Sequence, residues 1–454
     1  MHLLIKYFIN FRFIFIKLNK VDTPNSKTIN PIFWIPTTWF AMGLPFVALA
    51  AASSLMYKNM GISDASIAFW TSLIMLPWTI KPLWGPFLEM YKTKKFFVYI
   101  TQMFTGVLFG LVGLSLQLDY FFSISIALFS IIAISGATHD TAADGVYLNE
   151  LTPELQARYV GWQGACYNIA KVLSGGVLVY LAGELEKKWG IPTAWMFVMF
   201  LYGLIMIALG FYNKKMLPSG KPSQQVQSIE EGFATLKDVV VTFFQKKNIW
   251  FSLAFIVFYR FAEGQAIKIT PLFFKASRVE GGLGLSTSDI GVLYGVCGSI
   301  AFVLGSVIAG YFVSNKGLSR KTLMVLCAFF NIPFLAYTFL AVTLPQNLYV
   351  IGAAVAIEYF GYGFGFVGLI LFMMQNIAPG KYKMAHYAFG SGLMNLGFMI
   401  PSMVSGFVSD YLGYKEFFIW VLIATIPAFI VTWLVPLLTK EEAEMLEQNA
   451  IATK

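Results

Sequence analysis

Two acids, Asp140 and Asp144, stand four residues apart with His139 directly before the first, in the stretch Ser135-Gly136-Ala137-Thr138-His139-Asp140-Thr141-Ala142-Ala143-Asp144-Gly145. On a helix that spacing puts both carboxylates on one face. Carboxylates so close repel when both ionise in a dry site, so the pair suits reversible protonation. Asp140 and Asp144, with His139 tuning them, are the first candidates for carrying a coupling proton. A helix cap or a salt bridge is the plainer use of the same residues. Arg260, Glu263 and Lys268 form a second cluster. Arg260 and Glu263, three apart, can pair along a helix, whereas a guanidinium facing a cavity would take a substrate carboxylate or phosphate in a two-pronged contact. Lys81 and Lys171 both qualify as counter-ion to the two aspartates, and Lys81 can instead extend its amine to an interface. Glu358 stands alone in Ala356-Ile357-Glu358-Tyr359 as a further protonation candidate. Trp78, one turn from Lys81, can stack on a sugar or pack in a core. Gln163, Asn168 and Asn395 offer uncharged hydrogen bonds to a cavity or to neighbouring helices.

Charged groups this sparse need a particular solvent around them. Of 454 residues 57% are hydrophobic and 12% charged, with a mean hydropathy of +0.69. Soluble domains carry about 25% charged residues. The chain is therefore read as a lipid-embedded protein, and each ionisable group at membrane depth needs a partner or a cavity. Backbone groups in hydrocarbon must be paired within the structure. Long apolar runs without alternation select helices over a barrel.

Such runs fall at about 34–57, 65–88, 96–118, 120–148, 159–183 and 193–213, then at 249–274, 288–313, 321–343, 347–376, 384–412 and 416–438, each near the roughly 20 residues a crossing needs. The expected architecture is all-α, with twelve transmembrane helices in two six-helix bundles. Its parts are a basic, aromatic N-terminal extension (1–30), a first bundle (31–213), a cytoplasmic linker (214–247), a second bundle (248–438) and a cytoplasmic tail (439–454). The halves repeat each other. Gly164 follows Pro153 by eleven residues and Gly390 follows Pro379 by eleven, while Asn168–Gly183 and Asn395–Asp410 share a spacing of fifteen. A parallel repeat about an axis along the membrane normal accounts for this. Lys and Arg concentrate in the N-terminal tail, Lys92/Lys94/Lys95, the linker, Lys316/Arg320/Lys321 and Lys381/Lys383, all on one side of a twelve-span chain. That side is cytoplasmic, with both termini inside a cell-membrane protein.

The net charge of +9 lies in loops, not on a nucleic-acid surface. Cys166, Cys297 and Cys327 show no metal spacing and read as packing residues. No metal and no cofactor is expected. Gly363-Phe364-Gly365-Phe366-Val367-Gly368 spells a dinucleotide-binding motif, but it lies inside an apolar run with no strand before it. His139-Asp140 lacks an accompanying nucleophile, and the linker has neither His nor Cys, so an embedded transferase is disfavoured and no enzyme is expected.

Short loops carry a family signature. After the second span come Gly85-Pro86-Phe87-Leu88-Glu89 and then Lys92, Lys94 and Lys95. The second-half copy runs from Gly310 to Gly317, then Arg320 and Lys321, and a third echo is Gly406…Asp410…Gly413…Lys415. This resembles the gating loop of the major facilitator superfamily, although Met90 replaces the expected base and Ser314 the expected acid. The resemblance implies that Glu89 acts as a latch among these bases. The fourth-span Asp-x-x-x-Asp, together with Lys81-Pro82-Leu83-Trp84-Gly85-Pro86, is similar to AmpG-type muropeptide permeases, and Asp144-Gly145 to the related acetyl-coenzyme A transporters. His139 stands where that group more often has Gln. Membership implies proton-coupled import of glycan-derived or acyl-carrier solutes; the expectation is a glycan-derived solute (a muropeptide, amino sugar or oligosaccharide) carried by alternating access, in a monomer. Sodium coupling through the same aspartates stays open, as does a non-transporting sensor on the same scaffold.

Overall fold

A computed structural model of the chain describes residues 29–83, 88, 93–151, 153–219, 229–380, 382–439, 441–442 and 445. Residues 1–28 of the N-terminal extension and the loop residues Gly85, Glu89 and Lys92 lie outside the described residues. Helix dominates, and among the described residues there is no strand.

Among the described residues ten helices are long and apolar enough to cross a membrane: Pro31–Asn59, Lys94–Ser115, Phe121–Glu150, Trp162–Trp189, Ile191–Met216, Thr287–Val313, Arg320–Thr343, Leu348–Ile377, Ala385–Leu412 and Tyr414–Leu434. The second and seventh expected spans are broken helices, each piece too short to count alone. The second runs Asp64–Leu73, Leu76–Ile80 and a 3-10 turn Lys81–Leu83. Pro77 sits in the first turn of its middle piece, where a missing N–H costs nothing. The seventh divides at Arg260 into Ile249–Tyr259 and Phe261–Lys275. With both included, twelve crossings make two bundles.

Within each bundle, glycines let backbones meet, as expected where lipid supplies no drive for association. A Cβ on Gly106 would lie 2.7 Å from the Gly203 carbonyl, joining the third and sixth spans. One on Gly363 would meet the Ser306 hydroxyl at 2.9 Å, and one on Gly365 the Leu326 carbonyl at 2.6 Å. The false dinucleotide motif is therefore a helix-packing surface.

The halves touch along the second and eleventh, fifth and eighth, and first and seventh spans. Among the described residues, every hydrogen bond between halves joins residues 50–65 or 184–186 to residues 268, 287–288 or 410–414. These lie at the end opposite the linker, so that end is sealed. At the fifth–eighth crossing the two glycines abut: a Cβ on Gly176 would stand 2.6 Å from the Gly295 Cα. Both residues lie in π-turns, Leu173–Val177 and Leu293–Gly298. A third π-turn, Ala48–Ala52, widens the first span, and such turns occur often at functional sites.

The linker is less featureless than its polar composition suggests. Ile229–Phe244 is an amphipathic helix that buries Val239 and Phe243. Tyr382 donates to Asp238 and Thr242 bonds His386, tying the helix to the start of the eleventh span.

Candidate functional site

The fourth span is one unbroken helix, Phe121–Glu150, and it carries the acid pair as the spacing predicts. The two acids have different surroundings. Asp140 is 6% exposed, and its Oδ2 accepts from the Trp78 indole N–H at 2.9 Å. Its Oδ1 is buried without a hydrogen bond, with His139 Nδ1 3.6 Å away. Asp144, one turn on, is exposed and within Coulombic reach of Lys81, Asp140 and His139.

Trp78 is no sugar platform. It is buried, edge-on to Phe46 at 5.3 Å, and Gly136 exists to admit it: a Cβ there would fall 2.6 Å from Trp78 Cζ2. Burial obliges its N–H to find an acceptor, and Asp140 is that acceptor. His139 is also buried, with Nε2 2.9 Å from Gln102 Nε2. Gln102 Oε1 accepts from Asn213 Nδ2 at 3.1 Å, and Asn213 Oδ1 accepts from the Thr37 hydroxyl at 2.8 Å. Sequence reasoning missed Gln102, Asn213 and Thr37. The available signal was a lone amide inside an apolar run, Ile100-Thr101-Gln102-Met103, and an asparagine that composition assigns to the helix end.

Lys81 and Lys171 separate. Lys81, in the 3-10 turn of the second span, is the lysine beside Asp144. Lys171 does not partner the fourth-span acids. Its Nζ lies 4.9 Å over the Phe302 ring, and its charge is felt by Arg260 and Glu263 of the other half. The fifth span turns this face across the seam because Gly176 lets it approach the eighth span there. Tyr167, one turn earlier, is within Coulombic reach of Asp140 and Tyr362, so it links the first-half acids to the second-half cluster.

Arg260 is not an open anion clamp. Its Nε and Nη2 donate to the two oxygens of Glu263, both at 2.6 Å, and both side chains are buried. The guanidinium is also stacked between Phe398 at 4.6 Å and Phe366 at 5.3 Å. The break in the seventh span at Arg260 turns the side chain back along its own helix, so the prongs serve Glu263. Lys268 leaves this cluster altogether. It crosses to the first span, donating to Ser54 Oγ at 3.1 Å and to the π-turn carbonyl of Ala50 at 3.3 Å. Glu358 is not alone: it is buried and accepts from Tyr337 OH at 2.9 Å, with Glu263 in Coulombic reach.

Of the amides, Asn168 donates to its own helix at Gly164 O, 2.8 Å away, while Gln163 and Asn395 are half-buried. Gly310 faces open space, Gly317 ends the eighth-span helix at φ +68°, and Arg320 lies 5.9 Å over Trp433. Asp410 sits at the sealed end, where its Oδ2 accepts from Ala65 N at 3.3 Å in the first turn of the second span. Beside it Lys58 pairs with Asp64 at 2.7 Å and donates to Tyr414 OH at 3.3 Å. Asn59 and Glu186 both bond Thr287 at 2.8 Å, and Ser288 donates to Glu184 at 2.7 Å. At the linker end Lys246 donates to Pro379 O at 2.6 Å, and burial pushes its amine down to about 8. Among the described residues no group of His, Cys, Asp and Glu could hold a metal ion.

Comparison with known proteins agrees with this architecture. The model of the Major Facilitator Superfamily matches residues 37–385. Over 404 residues, 86% of this chain and 77% of the relative, the sequence is 23% identical to the anhydromuropeptide permease of Escherichia coli strain K12. Among solved structures, a bacterial homologue of the human lysosomal transporter Spinster, inward-facing and unoccupied, superposes with a TM-score of 0.65 at 14% identity, covering 94% of this chain and 98% of that one. The D-xylose–proton symporter gives a TM-score of 0.64 at 14% identity, with 91% and 98% covered.

Proposed function

This chain belongs to the Major Facilitator Superfamily, and from that premise we propose that it imports a glycan-derived solute by proton-coupled alternating access. As a multi-pass transporter of a small molecule it needs two things from its core: a site for the solute and a site whose charge depends on the coupling ion. The single observation that carries the coupling reading is the contrast between Asp140, sealed against Trp78, and Asp144, exposed one turn away in reach of Lys81. Asp144 is where solvent meets the pair, and protonating it removes the charge that holds Lys81.

The solute site is assigned to the seam between halves. Lys171 and Tyr167 face Arg260, Glu263 and Tyr362 across it. Lys171 supplies a cation for an anionic group of the solute, and the tyrosine and phenylalanine rings supply faces for sugar. Arg260 acts by holding Glu263, and Glu358 with Tyr337 stands behind them as a second protonation candidate. Gln163, Asn168 and Asn395 complete the polar lining. The anhydromuropeptide permease resemblance supports a solute of the amino-sugar and peptide class.

The sealed end is extracytoplasmic if the basic loops are inside, so the described state faces inward with both termini cytoplasmic. The division of the chain at the linker, a monomeric unit and a latch role for Gly85, Glu89 and Lys92 complete the proposal. A gradient does work only if protonation favours one facing, since a ligand shifts a conformational equilibrium through differential affinity alone. Rocking the halves would separate Lys171 from Glu263, which makes the state of the seam depend on charge.

Uptake of a radiolabelled anhydromuropeptide into proteoliposomes tests this. A proton gradient should drive accumulation and a sodium gradient should not. Asp144→Asn should abolish gradient-driven accumulation while retaining exchange at equal concentrations. Full accumulation in Asp144→Asn, or accumulation driven by sodium alone, would overturn the reading.

A further inference from the structure

We infer that Gln102 and Asn213 are positioning residues that select which nitrogen of His139 carries its proton, and so present Asp140 with a hydrogen-bond donor. The inference deepens the proposed proton coupling and rests on it. A carboxamide has a donor end and an acceptor end, so each amide in a row sets the orientation of the next. Here the row starts at the Thr37 hydroxyl, which donates to Asn213 Oδ1 at 2.8 Å. Asn213 Nδ2 donates to Gln102 Oε1 at 3.1 Å. Gln102 Nε2 then points at His139 Nε2 from 2.9 Å. An NH₂ group offers only hydrogens, so His139 Nε2 must accept. The imidazole is therefore neutral with its hydrogen on Nδ1, and Nδ1 is the atom 3.6 Å from Asp140 Oδ1.

That oxygen is the one buried carboxylate atom of the pair with no hydrogen bond. Leaving it without a donor is costly in a dry site, and a hydrogen on His139 Nδ1, 3.6 Å away, can reach it after a small shift of the ring. The Thr37 hydroxyl at the head of the row holds this setting. Were both amides to rotate together, Gln102 Oε1 would face His139 Nε2 and accept from an imidazolium, whose Nδ1 still carries a hydrogen toward Asp140. Four spans, the first, third, fourth and sixth, thus share a neutral relay that keeps a hydrogen on Nδ1 whether the ring is neutral or charged. The ionisable groups around it are Asp144 and Lys81, Tyr167 from the fifth span and Lys94 from the third, whose stem lies on Gly145. Thr37 and Asn213, from the first and sixth spans, do not titrate.

The chain has three histidines, which makes the tautomer measurable. Nitrogen-15 labelling of histidine in the full-length protein in lipid, with His139→Gln to identify the signal, reports which ring nitrogen is protonated. The parent should show the Nδ1–H form. Gln102→Leu should release the ring to the Nε2–H form that free histidine prefers. Should Gln102→Leu not fold, Asn213→Leu removes only the second link and should produce the same change in part. An Nε2–H ring in the parent, or an unaltered tautomer in whichever variant folds, would overturn the inference. A merely structural amide would lower stability without changing the tautomer. Loss of proton-driven uptake in the parent would instead defeat the transport reading, while the tautomer result would stand by itself.

Discussion

Replacing Glu263 with Gln should be among the most damaging isosteric changes in this molecule. The change keeps volume and removes one charge, so its effect is electrostatic. Arg260 and Glu263 share two bonds of 2.6 Å, and both are buried. Hydrogen bonds to charged groups contribute about 1.5–3 kcal/mol each. The larger effect is the guanidinium left behind, because breaking a buried pair costs about 3–5 kcal/mol. Stacking on Phe398 and Phe366 persists in the variant and returns little, since it is equally present in the parent. At about 1.36 kcal/mol per tenfold change, the unfolding constant should rise by two to nearly four decades. The assay is equilibrium unfolding in mixed micelles of rising SDS fraction, followed by loss of helical circular dichroism. The decisive companion is Arg260→Met with Glu263→Met. Buried pairs replaced by apolar residues are often neutral or stabilising, so the double variant should recover most of the loss. A Glu263→Gln cost below about 1 kcal/mol would show that water or another carboxylate reaches Arg260. A double variant as unstable as the single would show that packing, not charge, sets the effect.

Other perturbations probe the sealed end and the linker. Asp410→Ala removes the acceptor of the Ala65 N–H at the start of the second-span helix, a hydrogen bond of about 0.5–1.5 kcal/mol; spin-label distances between Met60 and Val279 should then show the open population rising about two- to twelvefold, and an unchanged distribution would remove Asp410 from the seal. Gly176→Val cannot fit 2.6 Å from the Gly295 Cα, so the same distances should lengthen more strongly, whereas Gly190→Ala, with nothing near it, should leave them alone and alter only the loop, whose φ is +77°. Lys246 has its amine lowered to about 8 by burial. A group whose folded value lies below its unfolded one destabilises while charged and less so as pH rises through the folded value. The melting temperature of the parent should therefore gain on that of Lys246→Met as pH increases through about 8, and a gap independent of pH would refute the assignment.

Periodicity and hydropathy alone determined that the chain is helical, membrane-embedded and built of about twelve crossings, because lipid leaves the backbone only helices or closed barrels and apolar runs without alternation exclude the barrel. The four-residue spacing of Asp140 and Asp144 likewise put them on one helix by local geometry. What the sequence does not carry is which groups meet across helices. Lys81 and Lys171 look alike as counter-ions in one dimension. The closeness of the fifth span to the eighth at Gly176 and Gly295 sends Lys171 toward Arg260 and Glu263 instead. Arg260 reads equally as a partner of Glu263 or as an open anion clamp, and the break in the seventh span decides for Glu263. Lys268 reads as its neighbour until a widened turn at Ala50 offers a carbonyl in the opposite half. Gln102, Asn213 and Thr37 lie 37 to 176 residues from the partners they bond, counting from His139 and along the row. Local spacing decides what shares a helix face; only packing decides what a face meets, and burial then forces each polar group onto whatever partner that packing provides.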